Sequence, residues 1–196
     1  MSFTKADINT LIRSRRAVFP EMYNQEAITD EEIRDILENA NWAPTHKKTE
    51  PWRFIVFRDE ALKSLGEWLA EKYRIQATRD GDYSDVKYEK FRQKALRSQC
   101  VLGICMQRDP KESLPEWEEL AATACAVQNM WLTCTAYGIG CYWSTPNFVV
   151  QASDVPGLQE GWRCIGVFYM GRWDIENLPA QRTGIEEKIV RVRSSY

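Results

Sequence analysis

Histidine is almost missing from this chain: 196 residues contain one, His46. That scarcity excludes a zinc cluster of two cysteines and two histidines, and any Ser-His or Cys-His catalytic pair has only one imidazole to draw on. The GxSxG turn that exposes a hydrolase serine does not occur either. Six cysteines (Cys100, Cys105, Cys125, Cys134, Cys141, Cys164) have no CxxC spacing and lie in apolar segments, so they are expected to be reduced core residues. Charge of one sign is lacking too. With 26 basic and 28 acidic residues the formal net charge is -2, which offers no global field for nucleic acid or an anionic membrane. No run approaches the roughly 18 apolar residues of a membrane span. The opening MSFTKADINTLIRSRR lacks the apolar core and cleavage site of a signal peptide. A cytoplasmic protein is expected, with small molecules or a second copy of itself as partners.

The chain has the punctuation of a single domain over 1–196. Thr4 and Asp7 have capping-box spacing before a helix to Arg13 with Ile8, Leu11 and Ile12 on one face. That helix ends in Arg13-Ser14-Arg15-Arg16, where the cations either complement the helix dipole or grip a phosphate. Thr29 and Glu32 form a second capping box, followed by Ile33, Ile36, Leu37 and Ala40 on one helical face, stopped by Pro44. Arg53–Phe57 reads as a buried strand and Asp59 to about Lys72 as a third helix. The charged, tyrosine-rich stretch 73–94 is expected to be an insertion or lid. Cys100–Met106 is a second strand.

Glu116–Tyr137 reads as a helix whose run Ala121–Tyr137 is apolar or small nearly all round, which predicts a central core helix or part of a subunit interface. Ala121, Ala122 and Ala124 would permit close helix approach, and a homodimer is favoured. Glu118 and Glu119 are adjacent on that helix, diverge, and read as a solvated or N-terminal-turn pair. Gly138–Pro146 turns into a strand and a loop, Cys164–Gly171 is the last clear strand, and 172–196 is expected to be a C-terminal arm lying on the partner. Helices first, then strands alternating with helices, predict an α+β fold with a central sheet covered by helices.

Two regions carry the functional expectation. Trp42–Phe54, WAPTHKKTEPWRF, joins a helix to a core strand through a polar loop with His46, Lys47 and Lys48, and its anion and ring contacts suggest a bound cofactor. Within it Trp52 and Phe54 read as core anchors. Trp143-Ser144-Thr145 sets an aromatic ring beside two hydroxyls. With the Arg13–Arg16 cations, this is equipment for holding a flat, phosphorylated ring that brings its own chemistry.

Arg15-Arg16-Ala17, Ala43–His46, Pro51–Phe54, Gln128-Asn129 and Gly138–Trp143, in this order, resemble the FMN-dependent nitroreductase family from about Ile8 to Gly171. The resemblance implies a central mixed or antiparallel sheet covered by helices in a domain-swapped homodimer, with FMN at the subunit interface. It implies that Arg15, Arg16 and Ala17 bind the FMN phosphate and ribityl chain, that Trp143, Ser144 and Thr145 complete that half-site, and that Trp42 and His46 approach the flavin from the other subunit. The helix end at Thr133–Gly138 corresponds to a region associated with the nicotinamide nucleotide. The implied activity is ping-pong reduction of nitroaromatics, quinones or related acceptors by NADH or NADPH, with no catalytic side chain. Specialised flavin chemistry, such as dehalogenation or flavin degradation, and a non-catalytic flavin-binding regulatory homodimer are the alternatives. Three residues depart from the family pattern: Ala17 replaces a serine, Phe19 a basic residue and Glu50 a glutamine. Arg13, Arg172 or Arg182 could restore the missing charge, and Gln93 the missing amide.

Overall fold

Side chains of strand β2 (Cys100–Gln107) alternate between two cores: Val101 and Cys105 enter one, Cys100, Leu102 and Ile104 the other. A strand buried on both faces belongs inside a sheet with helices above and below. A computed structural model describes residues 4–174 and 178–192 and has this arrangement. Four strands, β1 (Trp52–Phe57), β2, β3 (Ile139–Ser144) and β4 (Trp162–Arg172), form a sheet of order β1-β2-β4-β3 in which every pair is antiparallel. The fold class is α+β, and among the described residues the sheet is antiparallel rather than mixed.

Helices α2 (Asp30–Asn41) and α5 (Glu116–Ala136) cover one face, α3 (Glu60–Asp80), α4 (Asp85–Leu96) and the short α6 (Asn147–Val150) the other. The Thr29 capping box forms as expected, and Ile33, Ile36 and Ala40 are buried. Helix α3 runs past the expected stop near Lys72 because Tyr73 and Ala77 continue the buried stripe of Leu62, Leu65 and Leu69. Gly81, at φ +77°, then supplies the left-handed cap. Stretch 73–94 is therefore the distal part of α3, a turn and most of α4. Its anchors are in the core: Tyr73 is buried, its hydroxyl accepts from the Ser84 N–H at 3.1 Å, and its ring packs on Phe91. The charges that suggested a lid lie on the solvent side of this hairpin.

Three features are left bare. Helix α1 (Lys5–Ser14) has its expected Thr4–Asp7 capping box but buries no residue, with Ile8 and Ile12 exposed. Helix α5 is covered on one face only. Its Ala122, Ala126, Val127, Met130 and Cys134 are buried, while Trp117 is 67% exposed and Leu120 is exposed as well. The third is the segment after β4, part of the expected 172–196 arm. Trp173 makes an isolated antiparallel bridge with Tyr23, and residues 178–192 contain one short 3-10 turn and expose Ile185, Val190 and Val192. Residues 1–3, 175–177 and 193–196 lie outside the described residues. Among the described residues no helix is long and apolar enough to cross a membrane.

Tyr23 locks the sheet to the N-terminal segment: its hydroxyl donates to the carbonyls of Val18 or Tyr169, and its ring fills the space above Gly171. A methyl on Gly171 would meet Tyr23 Cδ2 at 2.3 Å and Gln99 Oε1 at 2.7 Å. Gly171→Ala is expected to destabilise the fold by about 1–3 kcal/mol, the scale of overpacking. Urea unfolding should show a lower midpoint at unchanged slope.

Candidate functional site

The main chain leaves α1 at Arg15 in an extended conformation and runs beside edge strand β3, where the Val18 N–H donates to the Cys141 carbonyl at 3.1 Å. Gly140 permits this approach, since a Cβ there would sit 2.7 Å from Val18 Cγ1. Arg15 lays its guanidinium over the Trp131 ring, 4.6 Å from the centroid. Partial burial, then the neighbouring Arg182 and Arg16, lower its pKa from the ordinary arginine value. Among the described residues, Arg182 and Arg16 are the cations that bear on Arg15, and such a cluster makes a place for an anion. Arg16 is otherwise engaged: Nε donates to the Leu178 carbonyl at 3.0 Å, and Nη1 to those of Arg13 and Arg15 at 2.6 and 2.9 Å. Ala17 is exposed. The Trp131 indole N–H donates to the Arg16 carbonyl at 2.9 Å, tying the segment to α5.

Trp143 lies further along β3, partly buried against the α2/α5 core, with its Nε1 shielded from solvent and unpartnered. Gly166 of β4 makes room for it, for a Cβ there would be 2.4 Å from that nitrogen. Ser144 is half-buried and Thr145 exposed at the strand end. Arg15, Arg16, Ala17 and Trp143–Thr145 thus share one edge of the molecule.

Trp42 and His46 belong to a different place. Trp42 caps α2, is 78% exposed and donates its indole N–H to Glu38 at 3.1 Å. His46 is fixed by Nδ1 at 2.6 Å from Glu118 Oε2 on the first turn of α5. Glu119 points the other way and is 1% exposed; it accepts from Arg108 Nε at 2.7 Å and the Asp109 N–H at 2.8 Å. The adjacent carboxylates diverge and lie in the first turn of α5 as expected, but Glu119 is buried rather than solvated. One positions the histidine and the other is a buried staple. Helical spacing carried the signal, since Glu119 precedes Ala122, Thr123 and Ala126 on the buried stripe. Trp131 and Arg108 were likewise missed, because a tryptophan in an apolar helix and an arginine after a strand look unremarkable alone.

Other expected compensations fall elsewhere. The Gln93 amide is held by Glu89 on α4, and Arg172 pairs with Glu32 and donates to the Tyr137 carbonyl. Phe19 packs on the Tyr142 ring at 4.8 Å. Thr133 bonds to Asn39 on α2. Trp52 is the core anchor it was expected to be, buried and bonded to Asn41 Oδ1 at 3.1 Å.

Within one chain, the Arg15 and His46 groups do not meet. Glu118 and Trp131 are thirteen residues apart on α5, about 20 Å at 1.5 Å per residue. Two separate side-chain clusters therefore lie along one helix, with the exposed Ala121 and Gln128 and the half-buried Ala124 between them.

Comparison with known proteins places this architecture. The model of the nitroreductase family matches residues 12–172. A Bacillus subtilis (strain 168) protein named "Putative NAD(P)H nitroreductase YfhC" is 28% identical over 189 residues, 94% of each chain. The nitroreductase-like family protein from Bacillus cereus has a similar structure, with TM-score 0.79 at 24% identity over 99% of both chains. A nitroreductase with bound FMN from Bacteroides fragilis NCTC 9343 gives TM-score 0.68 at 22% identity, covering 95% of this chain and 99% of that one. With a family match across most of its length and the fold to accompany it, the chain belongs to the nitroreductase family.

Proposed function

We propose that this protein is an FMN-dependent oxidoreductase that uses NADH or NADPH to reduce nitroaromatics, quinones or related electron-poor acceptors, and that it works as a homodimer with FMN between its subunits. The observation that carries this reading is the pair of separated half-sites on α5. Their midpoint falls near Ala124, a small residue on the incompletely covered face. An antiparallel crossing of two α5 helices about a two-fold axis at Ala124 brings each Glu118–His46 beside the other chain's Trp131 and Arg15. Each complete site then takes residues from both chains.

The residues present fit FMN. The shielded, unpartnered Trp143 indole N–H is a donor in need of an acceptor, and the crowded cations at Arg15 favour a phosphate. FMN, when bound, supplies the redox chemistry. Arg15 would hold its phosphate, with Arg182 adding charge where Ala17 and Phe19 add none. Arg16, tied to the arm through the Leu178 carbonyl, would add its guanidinium charge to the phosphate grip. Trp143–Thr145 would line the same half-site, and Trp42 and His46 of the other subunit would wall the ring. Glu118 fixes the imidazole in this wall, and the described geometry requires no side chain to act as catalytic acid.

The exchanged arm fits the same dimer. Strand β1 is a sheet edge, and a groove of about 590 Å³ between it and α2 is lined by Ile33, Leu37, Phe54 and Val56 with Asp30 and Glu38 beside them. The exposed Val190 and Val192 would lay apolar side chains against Ile33, Leu37, Phe54 and Val56 of that groove.

Purified protein is expected to be yellow and to bind one FMN per chain. Arg15→Ala should weaken FMN by about 1.5–3 kcal/mol, roughly 10- to 150-fold, in a flavin-fluorescence titration; unchanged affinity would assign the phosphate elsewhere. Light scattering should give twice the chain mass. Ala124→Arg is expected to abolish the dimer and FMN binding together, and a folded monomer that still binds FMN normally would sink the shared-site reading.

A further inference from the structure

The two lysines after His46 take no part in the proposed flavin half-sites, yet they border a built cavity. Lys47, Lys48, Arg53, Arg108 and Lys111 line a space of about 600 Å³ between the His46–Lys48 turn, the start of β1 and the β2–α5 loop. Asp109 is the one carboxylate among the lining residues. It is turned into its own loop, where it accepts from the Lys111 and Ser113 N–H groups and the Ser113 hydroxyl, and these bonds hold its pKa below the usual carboxylate range. Arg108 is neutralised from behind by buried Glu119. Arg53 is oriented by Gln107 and by main-chain carbonyls, and Lys47 by the Ser113 carbonyl at 2.9 Å, none of which cancels charge. Four cations therefore face one committed carboxylate, in a chain whose net charge is only -2.

The backbone around this cavity is unusual. Five non-glycine residues among those described have positive φ, and four of them, Lys47 (51°), Lys48 (56°), Glu50 (43°) and Glu112 (45°), sit in the two loops that bound it. Such conformations persist where surrounding structure enforces them, and they concentrate at ligand sites. The cavity also adjoins His46, whose imidazole Glu118 holds in place.

We propose that this cavity binds a phosphate monoester dianion carried by a ligand whose reacting end lies at the flavin. The proposal rests on the oxidoreductase reading and assigns the polar end of its substrate. A phosphate monoester carries about -1.5 to -2 charges at neutral pH and three acceptor oxygens. Lysine ammonium groups meet it as point charges, and a guanidinium held by other bonds adds a directed donor. Two ligands of this enzyme class present that group beyond the reacting ring: NADPH through its 2′-phosphate, and a phosphorylated acceptor.

The test is calorimetric titration of FMN-saturated protein with adenosine 2′-monophosphate, inorganic phosphate and adenosine. The Lys48→Gln/Lys111→Gln double variant is compared with a charge-matched control, Lys63→Gln/Lys87→Gln. The two phosphate probes should bind the double variant at least about 10-fold more weakly than wild type and the control, as expected for losing two charged donors, while adenosine shows no such difference. Adenosine 2′-monophosphate binding well above inorganic phosphate, with KM rising for NADPH and not for NADH in the variant, identifies the dinucleotide. Equal binding of the two phosphates and unchanged KM values for both dinucleotides identify the acceptor. Equal phosphate affinity in wild type and double variant, or no binding at low ionic strength, overturns the proposal. Failure of the flavin reading is seen separately as absent FMN binding; the same comparison on the flavin-free protein then judges the cavity alone.

Discussion

Glu119 is a buried carboxylate whose two oxygens are claimed by Arg108 and the Asp109 N–H. Much of the functional geometry follows from this pair of contacts. They hold the first turn of α5 against the loop that leaves β2, and thereby set the direction of everything that departs from either element. Glu118, the next position back, is rotated about 100° and reaches His46. Arg108 is kept with its charge balanced on the cavity wall, and Asp109 starts the turn through Lys111 and Ser113. Removing one partner of a buried pair costs roughly 3–5 kcal/mol because the other charge is stranded. The staple is thus a strong constraint at the place where the histidine loop, the basic cavity and α5 converge.

From that turn α5 acts as a ruler. It carries Glu118 at one end and Trp131 thirteen residues on, and its buried face fixes both against the sheet. The opposite face, with Trp117, Ala121 and Gln128, is exposed among the described residues. A helix that is apolar nearly all round cannot leave such a face in water without cost. The same exposure recurs in α1 and in the segment after β4, and a second copy of the chain, as proposed above, would cover all three.

How much of this could be read in the sequence depended on whether the controlling interaction was local. The two capping boxes and the α2 face rest on residues three or four apart, the strand after Trp52 on an unbroken run of neighbours, and each formed as expected. Helix α3 was cut short because its second half is charged on one side, which masks the spacing of Tyr73 and Ala77. At the site, Arg15 was legible as a cation after a helix, but Arg16 and Arg15 looked equivalent. What separates them is the Leu178 carbonyl, 162 residues away. The contrasting fates of Glu118 and Glu119 likewise depend on His46 and Arg108, contacts no run of neighbours specifies.

That long contact also couples the arm to the anion site. Arg16 ties Leu178 down, and Arg182, from the same segment, lies close enough to depress the pKa of Arg15. Two arginines approach each other at a cost, and the hydrogen bond from Arg16 Nε to the Leu178 carbonyl helps to hold the arm there. A bound phosphate reverses the sign of that interaction, since it attracts both cations at once. Whatever stabilises the docked arm must therefore tighten phosphate binding, and phosphate must tighten the arm by the same free energy. If the arm is the element exchanged between subunits, cofactor binding and dimer assembly are two readings of one equilibrium. The hydroxyl and the charge lost at Ala17 and Phe19 are then replaced by residues that arrive only when the arm does.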